Sequence, residues 1–593
     1  MKDQLSGRVG LGGLFDRSSA ASAMQSLALR GASTFTDDGV ACVTIGAPRC
    51  QSDPAPTRDG TDRQAKALLR LWKQHGSGLA SHIQGAYALV IVDSVQACVY
   101  MAVDRFGIET LCYRIEGNDL SFSDRADGVA GRGRELDPQA LFDYLYFHMI
   151  PAPRTIFQSV RRLPAAHALL IDNQGAHLSR HWPLHFDGHH RQPFEAARSN
   201  LRQRVRDAVE RELEGEQRVG TFLSGGIDSS TVTGMLGQVT GRPAPAYSIG
   251  FEAEGYDEME YARMVARHFG CEHHEYYVTP ADLLASIPAV AQHYDQPFGN
   301  SSALPTYYCA RMARTDGCSK LLAGDGGDEL FGGNTRYALH KFLHYYDSVP
   351  EGMRRLIEPL CGDGSVLRRI PGLRQATGYV RRAKVPMPRR MNLVNLLMQC
   401  DPQTVLAPEF LARIDTNEPV LHNQSTWDAC ADGDIVNRML AYDWRYTLAD
   451  SDLHKVRGAT SLAGLHVAYP LLDDGIAAFS MQLEPAWKLK RLQLRWFFKE
   501  AMRGFLPDAV LTKKKQGFGL PYGVWLTRSP ELRRLALDSL GGLAERNIVQ
   551  QKFVTHLMDH QLKEHPGYYG GMVWILMMLE QWMRGQGDVS LPA

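Results

Sequence analysis

The sequence predicts an α/β protein in two domains, the second built on a doubly wound parallel sheet. Three observations predict it. Up to about residue 185, short apolar runs alternate with tight turns, the texture of antiparallel strands. From residue 194 onward, strand-like runs alternate with helical stretches, which implies parallel strands joined by crossover helices. Between the first of these strands and its helix lies a loop dense in glycine and hydroxyl residues. It falls at the carboxyl end of the strand, where open α/β sheets bind their ligands.

In the first domain, 1–185, residues 68–75 read as a helix packed beside a hairpin whose strands are 87–93 and 98–103. A second hairpin, 165–171 with 177–180, turns at Asp172-Asn173-Gln174-Gly175. Residues 183–193, rich in His, Pro and Gly, read as the linker. The second domain, 194–593, opens with helix 196–213, strand 219–223, the loop and helix 229–238. Strand 246–251, helix 258–269 and strand 275–278 follow. Beyond about 335 the chain is mostly helical, and its basic pairs Arg381-Arg382 and Arg389-Arg390 read as solvated faces.

A chain of 593 residues exceeds one ordinary core. With 65 basic and 65 acidic residues its net charge is zero, which argues against a sequence-independent nucleic-acid binder. The ten cysteines are scattered with no C-x-x-C pair, so neither a structural zinc site nor a disulfide framework is expected. Met1-Lys2-Asp3-Gln4 does not begin a secretory signal, and the most apolar stretch, 572–579, runs straight into Glu580. A soluble, cytoplasmic protein with reduced thiols and no membrane partner is expected.

The loop Phe222-Leu223-Ser224-Gly225-Gly226-Ile227-Asp228-Ser229-Ser230 carries the chemistry. Backbone N–H groups at a helix start, with the hydroxyls of Ser224, Ser229 and Ser230 around them, make an anion site. Asp228 would repel bare phosphate, so its presence implies Mg2+ between carboxylate and phosphates. The loop lacks the lysine of G-x-x-x-x-G-K-[ST]. It resembles the S-G-G-x-D-S-S loop of enzymes that split ATP into AMP and pyrophosphate.

With that loop, Gly324-Asp325-Gly326-Gly327-Asp328-Glu329-Leu330-Phe331-Gly332-Gly333, the run 296–307 and Lys513-Lys514-Lys515-Gln516-Gly517-Phe518-Gly519 resemble the asparagine synthetase family over nearly the whole chain. The resemblance implies an N-terminal Ntn-type αββα glutaminase-like sandwich and a C-terminal ATP-pyrophosphatase domain with added helices. It implies that Leu223, Gly225, Gly226, Ser248, Ile249, Gly250 and Gly324 border ATP, and that Asp328 joins Asp228 on Mg2+. Residues 296–307 would wall the acyl pocket. Asp104-Arg105-Phe106-Gly107-Ile108 and residues 144–164 resemble the glutaminase-domain core and its junction.

The chain also departs from the family. Glutamine-using members begin Met-Cys-Gly, and the freed cysteine attacks the amide with its own amine as base. Here position 2 is Lys2, Val9 aligns with that cysteine, and the first cysteine is Cys42. The Asn-Gly-Glu-Ile-Tyr-Asn run is absent, and 32–62 is too short to hold it. Glutaminase activity is therefore not expected. In the second domain Lys455-Val456-Arg457-Gly458 replaces Lys-Val-Asp-Arg, and Leu465-His466-Val467-Ala468-Tyr469-Pro470 replaces Leu-Glu-Val-Arg-Val-Pro. Arg495 stands where a phosphate-steadying lysine is expected; it keeps the charge in a planar fork. These exchanges read as altered substrate recognition.

The expected chemistry is carboxylate adenylation followed by attack of an amine. Arg495 would neutralise developing charge, and Asp325, Glu329 or His466 would act as general base. The favoured amine is one carried by the substrate itself, a small molecule or peptide. The resemblance includes such branches, β-lactam synthetase and the lasso-peptide cyclases, and the latter would imply a precursor-peptide processing partner. An ammonia-dependent asparagine synthetase is the alternative, and a non-catalytic scaffold a third.

Overall fold

The structure, a computed structural model, describes residues 4–15, 24, 27–50, 62–131, 134–188, 192–216, 218–253, 255–361, 373–430, 433–514, 517 and 519–587. Lys2, Lys515, Gln516, Phe518 and part of the expected linker lie outside the described residues.

The N-terminal half stacks two antiparallel sheets. One has four strands in the order Ser6–Gly10, Asp119–Ser123, Cys112–Glu116, Arg161–Arg162. The other has six, in the order Gly175–Arg180, His167–Asp172, Cys98–Val103, Tyr87–Asp93, Val40–Gly46, Ser33–Asp37. Val9, Leu120 and Phe122 of the first pack on Val43, Val90 and Met101 of the second. Strand Tyr87–Asp93 is buried at every position because its other face is covered too. There Leu89 and Ile91 meet Leu68, Leu69 and Trp72 of helix Arg63–His75. The outer strand Gly175–Arg180 is exposed throughout, as befits a sheet edge. A short helix, Ala126–Ala130, lies against strands Cys112–Glu116 and Asp119–Ser123, completing the α-β-β-α layering.

The C-terminal half is built on five parallel strands in the order Glu272–Val278, Pro245–Phe251, Val219–Phe222, Lys320–Leu322, His466–Ala468. Helices Ile227–Thr240 and Met259–Phe269 connect the first strand outward to one side. Helices Pro280–His293 and Ala303–Thr315 then bring the chain back to its other side. Val219 pairs with Lys320 and Thr221 with Leu322, so winding reverses between these two strands. Such a reversal leaves a crevice at the carboxyl ends of the strands. Most of the chain beyond 335 is helical and packs around this sheet, closing with helix Pro566–Gly585. Among the described residues, no helix is long and apolar enough to cross a membrane.

The halves are bolted together by charge. Arg105 meets Asp474 at 2.8 Å, Arg49 meets Asp473 at 3.1 Å, and buried Arg162 meets Asp450 at 2.9 Å. Tyr144 Oη donates to the Ile575 carbonyl at 2.8 Å.

Candidate active site

The crevice at the switch point is a cleft of about 1050 Å³. One wall is the loop between strand Val219–Phe222 and helix Ile227–Thr240. Gly226 caps that helix without a side-chain hydrogen bond, so the amides of its first turn have no capping acceptor. Ser224 and Ser229 hydroxyls meet at 3.0 Å and hold the loop in shape, Ser229 Oγ donating to the Gly226 carbonyl at 3.2 Å. Gly225 sits at φ +69°, and a Cβ there would lie 2.6 Å from the Ala262 nitrogen, so only glycine fits.

The second glycine-rich turn stands opposite. A Cβ on Gly324 would be 2.6 Å from the Ser229 nitrogen, and one on Gly327 would be 2.2 Å from Asp228 Oδ1. The bare glycines thus let the two acid-bearing turns touch. Asp228 and Asp328 converge on one point, filled by the Arg495 guanidinium. Arg495 Nη1 is 2.6 Å from Asp228 Oδ1, and its Nη2 bonds Asp328. Burial pushes the Asp228 carboxyl up, and Arg495 pulls it back down.

Behind this pair lies a second cluster. The segment Trp444–Asp452 winds as a π-helix and continues as α-helix Leu453–Leu462, a widening frequent at functional sites. It sets Asp452 and Lys455 one turn apart on the cleft wall, 2.8 Å between carboxylate and ammonium. Lys455 Nζ also lies 3.8 Å from Asp325 Oδ1. Burial pushes the Asp325 carboxyl up to about 6 against the pull of Lys455, with Asp452 adding to the rise. Glu329, also on the wall, is pushed well up by burial and then by Asp452 and Asp443. Burial opposes the Lys455 charge, but Asp452 and Asp325 hold its proton above the usual range.

Leu223, Ser224, Gly226, Asp228, Ser229, Ser248, Ile249, Gly324, Asp325, Asp328, Glu329 and Arg495 all line the cleft. Ser248 Oγ donates to the Leu223 carbonyl at 2.6 Å and so tightens the loop from the side. Gly225, Gly250 and Ser230 are not on the wall. Gly250 is there to clear the Tyr277 ring, 2.6 Å from where a Cβ would stand. Ser230 is fully buried with its hydroxyl unpaired.

His466 is a correction. It is exposed and starts strand His466–Ala468, pairing with Lys320, so it lies at the amino ends of the strands, opposite the cleft. Arg457 is another. It donates to the Ile108 carbonyl at 3.0 Å and to Thr110 Oγ1 at 2.5 Å, and reaches Glu109 at 3.3 Å. That exchange belongs to the domain junction and not to substrate recognition. Ala468, inside the sheet beside Leu322, says nothing about substrate either.

Asp452 and Lys455 escaped the sequence reading as site residues, although an acid and a lysine at i, i+3 form a recognisable same-face pair. Lys513 and Lys514 also reach the cleft, with Lys513 held by Glu258 at 2.8 Å.

Comparison with known proteins agrees with this geometry. Residues 200–584 match the asparagine synthase family, and residues 57–182 match a glutamine amidotransferase domain. The chain is 25% identical over 482 residues to "Asparagine synthetase [glutamine-hydrolyzing] 1" of Bacillus subtilis (strain 168), covering 79% of this chain and 72% of that one. It is 25% identical over 541 residues to a "Putative asparagine synthetase [glutamine-hydrolyzing]" of Mycobacterium tuberculosis (strain ATCC 25618 / H37Rv), covering 88% and 80% respectively. With one family spanning the sheet, both glycine-rich turns and the cleft between them, the chain belongs to the asparagine synthase family, as an ATP-dependent carbon–nitrogen ligase.

Proposed function

We propose that the enzyme adenylates a substrate carboxylate, releases pyrophosphate, and closes the acyl group onto an amine of the same substrate, forming a lactam or macrolactam without hydrolysing glutamine. A contrast between the two halves carries this reading. The cleft retains both acids, both glycine turns and its cations. The glutaminase-like half retains no accessible thiol among its described cysteines near the aligned position. Val9 is buried in mid-strand, paired with Leu120, where no free amine can stand. Cys42 is fully buried, and burial pushes its thiol far above the range in which a thiolate forms.

The amides at the start of helix Ile227–Thr240 and the hydroxyls of Ser224 and Ser229 would cradle the pyrophosphate end of ATP. Asp228 and Asp328 fit Mg2+. They already enclose a cation, the Arg495 guanidinium, and two carboxylates with phosphate oxygens are a usual magnesium set. Bound there, Mg2+ would neutralise the phosphates and the departing pyrophosphate.

In the first step a carboxylate oxygen attacks the α-phosphorus and pyrophosphate leaves. In the second the amine attacks the acyl carbon, gives up a proton, and AMP leaves. In this reading Asp325 takes that proton, and Lys455, 3.8 Å from its carboxylate, steadies the resulting anions. The partners are then the carboxylate substrate and, for a peptide, the protein that processes its precursor. Use of ATP fits a cytoplasmic setting.

The test is to supply ATP, Mg2+ and candidate carboxylates, then follow pyrophosphate and product mass. A product one water lighter than its substrate supports the proposal. Efficient asparagine formation from aspartate and ammonium would establish the alternative, which the 25% identical relatives keep in view.

A further inference from the structure

Helix Thr335–His344 begins on the cleft wall and leaves it with an unusual face. Tyr337, His340 and Leu343 are buried beneath it, whereas Leu339, Phe342 and, just past its end, Tyr345 are 41%, 46% and 52% exposed. Their i, i+3, i+6 spacing makes one outward apolar stripe. Leu492, 46% exposed, continues the stripe back to the cleft, whose wall it helps form. Lys341 ties helix and cleft rim together by donating to the Leu489 carbonyl at 3.0 Å.

Along the far side runs helix Leu373–Ala383. Its Tyr379 ring lies 4.9 Å from that of Phe342, and its hydroxyl donates to the Phe342 carbonyl at 3.1 Å. Although the whole chain has no net charge, residues 373–392 contain six basic residues and no acidic one. Arg381, Arg382 and Arg389 in that stretch are exposed. Glu358 pairs with Lys384 at 3.1 Å and Asp347 with buried Arg390 at 3.5 Å, which leaves the three exposed arginines as the cationic side of the rim. Beside an apolar stripe, they favour an occupant carrying apolar anchors and negative charge. A flat membrane surface could meet the stripe and the arginines, but it has no use for a stripe that ends inside a catalytic cleft.

We propose that this face is the docking track for an acidic peptide substrate with apolar anchor residues, whose reacting carboxylate it delivers into the cleft. The inference rests on the carboxylate-ligase reading of that cleft. The ten-residue helix is about 15 Å long at 1.5 Å per residue, so roughly five residues of extended peptide would follow the stripe. Of the arginine pairs expected from sequence to be solvated faces, Arg381, Arg382 and Arg389 are exposed, whereas Arg390 is a correction: it is buried and donates to the Val385 and Ala383 carbonyls at 2.7 and 2.5 Å.

The experiment uses the full chain and three fluorescein-labelled sixteen-residue peptides. One is rich in Asp and Glu with spaced Leu and Phe, one has Lys for every acid, and one has Ser for every apolar residue. Fluorescence anisotropy should show the first binding at least tenfold more tightly than the other two, and weakening as salt rises. The Leu339→Ser/Phe342→Ser variant should lose tenfold or more. So should Arg381→Glu/Arg382→Glu, which alters only exposed side chains and so reports even where the apolar variant fails to fold. Equal binding of all three peptides, absent binding of the first, or parent-like binding by the arginine variant would overturn the proposal. Two further outcomes would also overturn it: loss of binding to phosphatidylglycerol vesicles in place of peptide, or a dimer that these substitutions dissociate. Pyrophosphate release separates this idea from the ligase reading. Peptide binding with no release from any carboxylate leaves the track and removes the ligase; release unaffected by the substitutions does the reverse.

Discussion

Replacing Asp325 by Asn should split the two chemical steps and stabilise the protein at the same time. The folded carboxyl titrates near 6 against an ordinary 3.8, because burial outweighs the attraction of Lys455. Two units correspond to about 3 kcal/mol. The sign follows from proton binding: between 3.8 and 6 the folded state holds more protons than the unfolded one, so stability falls as pH rises through that window. The penalty is absent below it and complete above it. Asn removes the penalty, and Lys455 keeps Asp452 at 2.8 Å, so no buried cation is stranded. Urea unfolding at pH 8 should therefore show a variant more stable by up to about 3 kcal/mol, with roughly half that gain at pH 5. Pyrophosphate exchange should persist, since adenylation needs no base, while amide formation falls about 10²- to 10⁴-fold. In the parent, amide formation should decline as pH drops below about 6, where Asp325 takes up its proton. A variant no more stable at pH 8 that also forms amide at the parent rate would refute both the electrostatics and the assignment of the base.

Asp228→Ala and Asp328→Ala should each abolish pyrophosphate formation while circular dichroism stays native, since each removes one of two converging carboxylates; turnover near the parent rate would remove the metal assignment. Gly324→Ala should cut pyrophosphate formation at least tenfold, because its Cβ would stand 2.6 Å from the Ser229 nitrogen and push the two turns apart. Purified protein should release no glutamate from glutamine, with or without ATP, in a coupled glutamate assay. Asparagine from aspartate and ammonium should be absent or very slow by mass spectrometry. Ammonium at neutral pH is mostly protonated, whereas an amine held within one substrate can reach an effective concentration of ~10⁵ M.

What could be read from sequence was what local physics dictates. The strand–loop–helix at Phe222–Ser230 carries its own turn chemistry, and the uniformly apolar Tyr87–Asp93 announces a strand covered on both faces. The first-strand loop and the second glycine turn are about a hundred residues apart, yet both were legible because each is a contiguous motif. Illegible were positions whose meaning depends on which way a side chain leaves its element. His466 sits in a motif whose later residues follow the sheet toward the cleft, but it opens the strand at the wrong end. Asp452 and Lys455 reach the cleft through a π-helical turn, and no residue pattern along 444–452 marks that change of winding.

Arg457 shows why direction matters more than conservation of type. It lies two residues beyond Lys455 on the same helix, so the two side chains leave on different faces. Lys455 enters the cleft, and Arg457 grips the turn at Ile108, Glu109 and Thr110 of the other half. That turn is itself rigid. Buried Asp104 accepts N–H bonds from Tyr87, Phe106, Ile108 and Glu109, at 3.2, 3.0, 3.0 and 2.9 Å. The anchor therefore runs from the sheet of the glutaminase-like half, through Asp104 and its turn, to the back of the helix that carries Lys455. The glutaminase-like domain thus has a structural part in the other domain: it holds the helix that carries Lys455 from behind. The exchange of an acid for Arg457 adds a cation to that grip, where a carboxylate would have faced Glu109.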